Sequence, residues 1–191
     1  RFRRQFLELR QCPCIAGTPV REELREVFEA IIKYASSSGS TIGNVYIHRY
    51  YDGDIGDFEI IKITNTDTFS TSNSINNMYS ITGTLSSPAV GTIIKYYSRT
   101  TSSFGYGSVE RRNVTVLADD RDNISGLTEV KVTSGSCESG DSGGPFFQDA
   151  SSGAKYCGVL HGKRTDSSGN LYVFFTPYTY ISSAGFSVRT N

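Results

Sequence analysis

The spacing of apolar residues divides this chain near residue 40. Before that point, apolar residues recur at helical spacing after Thr18 and Pro19, a pair typical of the cap and first position of a helix. The pattern predicts an amphipathic helix over about residues 18–35, ending at a serine-rich stretch with a glycine. Residues 1–40 are therefore interpreted as a divergent N-terminal segment whose helix packs on the rest of the protein. The alternative occupants of its apolar face are a partner helix and a membrane surface.

After residue 40 the period changes to two. Apolar and polar residues alternate in short β-branched and aromatic runs, separated by Gly, Ser, Asn and Asp. Such runs predict half-buried strands, and many short strands at regular spacing are typical of a β-barrel or sandwich. A short helix is expected from Pro177 to Ala184, before Gly185. The predicted strands are Ile42–Tyr51, Phe58–Thr64, Met78–Thr84, Val90–Ser98, Gly107–Leu117, Gly126–Thr133, Pro145–Gln148, Lys155–Gly162 and Leu171–Thr176.

Length and charge narrow the classes of function. A chain of 191 residues can form one domain, or two closely packed halves, with a sizeable core. Basic and acidic residues number 19 each, so the formal net charge is zero and there is no general attraction to nucleic acid or to an acidic membrane. No apolar run approaches the roughly 20 residues that cross a bilayer. We expect neither nucleic acid nor membrane as a partner, and because the chain begins with Arg1, we expect a processed form or a fragment.

The segment Gly140–Pro145, Gly-Asp-Ser-Gly-Gly-Pro, is the strongest chemical signal in the chain. A serine attacks a carbonyl well only if its hydroxyl is exposed, its proton has an acceptor, and donors await the oxyanion. Glycines let the backbone turn outward, so the amides of Gly140 and Ser142 could point at one oxygen atom. Asp141 would turn inward and need a partner, since an unpaired buried carboxylate is costly. The alternative interpretation of such a string is an ordinary turn.

This segment, followed by Phe146 and Phe147, resembles the nucleophile segment of chymotrypsin-like serine proteases. The resemblance covers most of the chain after Thr41, and it implies a mainly β fold of two antiparallel Greek-key barrels. Residues 41–84 would be the remainder of an incomplete first barrel, and residues 85–191 the second barrel. Further similarities occur in family order: Gly56–Lys62 to the strand of the catalytic Asp, Ser98–Gly107 to the strand that opens the second barrel, Gly158–Gly162 to the wall of the substrate pocket, and Phe174–Pro177 to the closing segment of the secreted bacterial branch, the streptogrisin and α-lytic type.

The resemblance also implies roles for individual residues. Ser142 matches the nucleophile, and the amides of Gly140 and Ser142 match the oxyanion hole. Asp57 matches the acid that orients the general base. Arg99 is a candidate partner for the buried carboxylate of Asp141, because some bacterial members use an arginine there.

By the same resemblance, Ser136, His161 and Gly162 would line the substrate pocket. Ser136 falls near the pocket floor and supplies no fixed charge, which argues against a preference for Lys or Arg. His161 replaces a residue, usually serine, that lies beside the catalytic Asp, so it could contact Asp57 or the substrate. Some relatives that select glutamate place a histidine on this strand, but one position away, and neighbouring residues of a strand face opposite sides.

The family pattern requires a His followed by Cys well upstream of the catalytic Asp, and this chain lacks that segment. Its two histidines are His48 and His161. His48 precedes Asp57 by nine residues, and a straight strand of that length would separate the two by roughly 30 Å. We interpret His48 as a strand or surface histidine, and the sequence identifies neither histidine as the general base.

The four cysteines, with abundant Ser, Thr, Gly and Tyr, are compatible with a secreted protein. Cys12 and Cys14 could form half of a metal site, but no second Cys or His cluster follows, so we expect no metal. Cys137 could pair with Cys157, although the family's usual partner lies farther along the chain. The disulfide pairing of the four cysteines stays open.

The resemblance implies a serine endopeptidase that hydrolyses peptide bonds through an acyl-enzyme on Ser142. It would act as a monomer on peptide or protein substrates and need no cofactor. Because the general base is missing, the alternative is a non-catalytic pseudoprotease that binds peptides or proteins.

Overall fold

Strands account for most of the described residues, as the alternating pattern predicts. The computed structural model describes residues 33–35, 41–49, 53, 55–64, 73–76, 78–117 and 123–190. These residues divide into two units, one within residues 12–48 and 59–71 and the other within 49–58 and 72–190. The elements are β1 (Lys33–Ala35), β2 (Thr41–Arg49), β3 (Phe58–Ile63), β4 (Ser74–Ile75), β5 (Tyr79–Thr84), β6 (Ile93–Ser98), β7 (Ser103–Leu117), β8 (Asn123–Ser134), β9 (Pro145–Ala150), β10 (Gly153–Thr165), β11 (Leu171–Pro177) and helix α1 (Tyr178–Ser183).

The first unit contains a three-stranded sheet in the order β1-β2-β3. β1 pairs antiparallel with β2, with Tyr34 opposite Gly43. The prediction of a helix as far as residue 35 is therefore wrong at its end, because backbone groups of β1 pair with a neighbouring strand rather than within a helix. The earlier part of the predicted helix, residues 18–32, lies outside the described residues.

In the second unit, six strands close into a ring. β6 pairs with β7, β7 with β8, β8 with β11, β11 with β10, β10 with β9, and β9 with β6, all antiparallel. β5 adds to β10 in parallel, and β4 pairs with β5. The described strands before β6 form no such ring. Closure removes the free edges that an open sheet would expose. The short helix α1 follows the last strand, as predicted.

The core of the second unit draws apolar side chains from all six strands of the ring. On β6 the buried residues are Ile94, Tyr96 and Ser98, which is the period of two expected for a strand with one face in a core. The rings of Phe146 and Phe175 stack with centroids 4.5 Å apart, and both side chains are fully buried. This contact packs β9 against β11, the two strands that flank β10.

Cys137 and Cys157 are both free thiols buried in this core, so the bridge between them that the sequence left open does not form. Burial raises the pKa of each thiol to about 12, since the thiolate is poorly solvated there. Cys12 and Cys14 lie outside the described residues. Among the helices of the described chain, none is long and apolar enough to cross a membrane.

Replacement of Phe146 by Ala should destabilise the protein by about 3–5 kcal/mol, because it removes a fully buried ring and leaves a cavity beside Phe175. Urea unfolding followed by circular dichroism would measure the loss. Ile93→Ala is the control, since Ile93 is 55% exposed on β6 and its truncation should change stability by about 0.5 kcal/mol or less. Equal losses in the two variants would contradict this description of the core.

Candidate active site

Ser142 lies in a tight turn between β8 and β9. Gly140 has a φ of +98° and Gly143 a φ of +86°, a region of backbone conformation that favours glycine. Ser142 is half-buried, and its Oγ donates a 3.0 Å hydrogen bond to the carbonyl oxygen of His161 on β10. The glycines of the motif therefore place the serine side chain against β10.

Two backbone hydrogen bonds tie this turn to β10. The amide of Gly143 donates to the carbonyl of Leu160, and the amide of Leu160 donates to the carbonyl of Gly144, each over 2.8 Å. Backbone bonds of this kind do not depend on side-chain rotamers. The position of Ser142 relative to β10 is therefore fixed by main-chain bonds of the two residues that follow it.

The amides of Gly140 and Ser142, predicted as oxyanion donors, have no backbone acceptor among the described residues. The other amides of the turn are engaged: that of Asp141 donates to the carbonyl of Glu138 at 3.1 Å, and that of Gly144 to the carbonyl of Asp141 at 3.0 Å. Unpaired amides in a turn can donate to an oxygen atom that carries developing negative charge. Their assignment as the oxyanion hole stays a prediction.

Asp141 turns into the protein, as its place in the motif predicts, and is 2% exposed. Its Oδ1 accepts a hydrogen bond of 2.9 Å from the amide of Thr100, and its Oδ2 one of 2.8 Å from the amide of Glu138. Burial alone would raise the pKa of this carboxyl, but these amides and the Ser98 hydroxyl together lower it. Arg99, the predicted partner, is exposed in the turn between β6 and β7, and its role stays a prediction.

The backbone of Asp57 is fixed by the hydroxyl of Thr176 on β11. The Asp57 amide donates to Thr176 Oγ1 over 2.7 Å, and Thr176 Oγ1 donates to the Asp57 carbonyl over 2.8 Å. Gly56, with a φ of +80°, donates its amide to the carbonyl of Ser125 on β8 over 2.8 Å. A Cβ added to Gly56 would lie 2.7 Å from Cγ2 of Thr176. Position 56, directly before Asp57, therefore requires glycine. Backbone contacts to β8 and β11 hold the segment Gly56-Asp57 in place.

His161 contacts Asp57 through its imidazole. Nδ1 lies 2.6 Å from Oδ2 of Asp57, and the side chains are 5% and 21% exposed, respectively. Of the two contacts that the sequence predicted for His161, the one with Asp57 is present. The backbone carbonyl of the same residue accepts the Ser142 hydroxyl. His161 therefore binds Asp57 with its side chain and Ser142 with its main chain.

A β-bulge at His161 explains this arrangement. In the ladder between β10 and β11, Leu160 is opposite Phe175 and Gly162 is opposite Phe174, so the register passes over His161. A bulge re-aims side chains that strict alternation would place on opposite faces. Leu160 and His161 are both buried.

The other predicted site residues are placed as follows. Ser136 and Gly162 are half-buried, Ser136 after the end of β8 and Gly162 directly after His161 on β10. Their part in a substrate pocket stays a prediction. His48 lies on β2, in the first unit, and its side chain is outside the description. Thr176 was missed as a site residue; its signal in the sequence is a hydroxyl within an otherwise apolar strand.

The trypsin family model, described as Trypsin, matches residues 20–184. The solved chymotrypsin of Cellulomonas bogoriensis is 20% identical, with a TM-score of 0.60, over 78% of this chain and 76% of that chain. Protease A of Thermobifida fusca is 26% identical, with a TM-score of 0.60, over 78% and 75%. The alpha-lytic protease homolog N4 is 24% identical, with a TM-score of 0.60, over 80% and 75%. No curated protein matches.

Asp141 should make stability depend on pH. Because the pKa of its carboxyl is lower in the folded chain than the unfolded value of about 3.9, its contribution is complete above that value and is lost as the pH falls through the folded pKa. Asp141→Asn should therefore be most destabilising near neutral pH, and its difference from the wild type should shrink at about pH 3. Urea unfolding between about pH 7 and pH 3 would measure this.

Asp149→Asn is the control for this prediction, because the Asp149 side chain is 52% exposed on β9. Its effect on the free energy of unfolding should be small throughout. If Asp141→Asn lowers stability by the same amount at every pH, the charge of Asp141 is not what its partners stabilise.

Proposed function

This chain belongs to the trypsin family, the chymotrypsin-like serine peptidases, in its bacterial branch, and we propose that it is an endopeptidase that cleaves peptide bonds through an acyl-enzyme on Ser142. The observation that carries the proposal is the state of the nucleophile turn. Ser142 is accessible, the carboxylate of Asp141 is satisfied by amides, and the amides of Gly140 and Ser142 have no backbone acceptor in the described chain. Its substrates are peptides or proteins. As its composition predicts, we also propose that the protein is secreted.

In the proposed reaction, Oγ of Ser142 attacks the substrate carbonyl, and the amides of Gly140 and Ser142 stabilise the oxyanion. The proton of the hydroxyl passes to a base and then to the leaving amine, which departs as the acyl-enzyme forms. Water then attacks the ester and gives its proton to the base, which passes a proton to Oγ of Ser142 as the carboxylic acid product leaves. The backbone of the turn already presents both amides for these steps.

His161 is the candidate base within this proposal. Asp57 at its Nδ1 would hold the ring and stabilise the imidazolium, the part that the acid plays in a catalytic triad. The Ser142 hydroxyl would first have to leave the carbonyl of His161 and rotate about its Cα–Cβ bond toward the ring.

The second candidate function is a pseudoprotease that binds peptides without cleaving them. The observation that favours it is the acceptor of the Ser142 hydroxyl, which is a main-chain carbonyl. A carbonyl oxygen is too weak a base to remove the proton, so this hydrogen bond orients the hydroxyl without activating it.

A fluorophosphonate probe should label the folded protein on Ser142, as identified by mass spectrometry. Ser142→Ala should abolish labelling, whereas Ser139→Ala, a serine of the same loop, should leave it unchanged. Asp57→Asn and His161→Gln should slow labelling by about 100-fold or more, the usual effect of losing general-base assistance. An absence of Ser142-dependent labelling, under conditions where another family member reacts, would overturn the enzymatic proposal.

Peptide binding distinguishes the second candidate. A pseudoprotease should bind the oxidised insulin B chain with the same affinity before and after Ser142→Ala, as measured by calorimetry, and should not cut it. Traces of hydrolysis do not decide the matter, because oxyanion donors and binding alone retain about 10³ to 10⁴ of rate over water. Turnover at ordinary protease rates, about 1 per second or more, would exclude the non-catalytic candidate.

A further inference from the structure

Lys163 joins β10 to the loop that carries Ser142. Its Nζ lies 2.8 Å from Oε2 of Glu138 and also donates to the carbonyl oxygen of Cys137. Lys163 follows His161 by two residues, and Glu138 precedes Ser142 by four. The ammonium group therefore connects the two segments that meet where the Ser142 hydroxyl contacts the His161 carbonyl.

The ion pair of Lys163 with Glu138 is open to solvent, because the two side chains are 37% and 47% exposed. Exposed pairs of this kind contribute little to stability, so another carboxylate can replace Glu138 at small cost. A lysine ammonium has three donors, and the described residues supply two acceptors, at Cys137 and Glu138. Lys163 is therefore able to bind a further anionic group.

The next residue on β10, Arg164, is not available to a further anionic group in the same way. Its Nη2 donates to Oε1 of Glu129 at 2.5 Å, and its guanidinium lies 4.1 Å from the centre of the Tyr172 ring. Glu129 is 1% exposed and is also bound by Arg111, and these arginines lower the pKa of its carboxyl against the effect of burial. Of these two neighbouring cations, Lys163 is the one whose partner can be exchanged.

The two acidic residues of the Ser142 loop, Glu138 and Asp141, differ in whether their carboxylates are available to Lys163. Both carboxylate oxygens of Asp141 are occupied by amides inside the protein, so Asp141 does not compete for the ammonium. Ser136, on the same loop, carries no charge. The competitor is Glu138, which both holds Lys163 and repels an incoming anion.

We propose that Lys163 selects peptides with a carboxylate side chain, glutamate or aspartate, beside the bond held at Ser142, and that Glu138 occupies this position until the substrate carboxylate replaces it. The proposal rests on the proposed function, since it requires a peptide to lie between the Ser142 loop and β10. It adds a residue that determines specificity, and it holds whether the bound peptide is cleaved or only retained. The Cys137 carbonyl keeps the ammonium in place during the exchange.

The test uses the Ser142→Ala protein, so that binding is measured without turnover. Two fluorescein-labelled peptides that differ only in a central Glu or Gln are compared by fluorescence anisotropy. The Glu peptide should bind about fivefold more tightly, and added salt should weaken this preference because the contact is exposed. Lys163→Gln should abolish the preference, Lys163→Arg should retain it, and Glu138→Gln should increase it by removing the competing carboxylate.

Lys95→Gln is the matched control, because Lys95 makes a comparable ion pair with Asp149, 2.6 Å apart, on β6 and β9. It should leave the preference unchanged. Equal binding of the two peptides, or a preference that survives Lys163→Gln, would overturn the assignment of Lys163 while leaving the proposed peptide binding at Ser142 supported. If neither peptide binds, the proposed function is contradicted together with it.

Discussion

The pairing of β10 with β11 is the interaction on which the candidate site depends. This ladder closes the six-stranded ring, and it places Val159 opposite Thr176. From β10, Leu160 and His161 hold the turn of Ser142, while from β11, Thr176 holds the backbone of Asp57. Because the two strands support different parts of the site, a slip in their register would separate Asp57 from Ser142.

Two buried carboxylates show how the second unit accommodates charge. Asp141 is satisfied mainly by backbone amides, and its burial fixes the conformation of a functional turn. Glu129 is satisfied by the guanidinium groups of Arg111 and Arg164, which joins β7, β8 and β10 across the sheet. Removing either arginine would leave the buried charge of Glu129 only partly compensated, which costs more than the loss of an exposed pair. The ion pair of Lys163 with Glu138, by contrast, is exposed to solvent.

The alternation of apolar residues predicted the strands well, because the period of two is a local property. The limits of prediction lie at turns and bulges. β6 begins at Ile93 rather than at Val90, since the chain there turns through Gly91 with a φ of +85°. β7 begins at Ser103, before the expected Gly107, because its hairpin with β6 extends the pairing. Neither event leaves a clear mark in the apolar pattern.

In the candidate site, local sequence segments were likewise easier to interpret than contacts between distant residues. Ser142 and Asp57 could be identified because their neighbours in sequence form recognisable segments. The contact of His161 with Asp57 joins residues 104 positions apart and depends on a bulge, so the sequence could only name it as one of two alternatives. The part played by Thr176 depends on a contact over 119 positions, and a hydroxyl within an apolar strand does not by itself identify that partner.

The bulged residue of β10 performs two tasks with chemically independent groups. The hydrogen bond from Ser142 goes to the main chain, which every amino acid possesses, whereas the bond to Asp57 requires the imidazole. Evolutionary drift at position 161 would therefore act on the two contacts unequally: substitutions that keep the bulge preserve the orientation of the serine and release the aspartate. The orientation of the Ser142 hydroxyl thus depends on the path of the β10 backbone, whereas the contact with Asp57 depends on the identity of a single side chain.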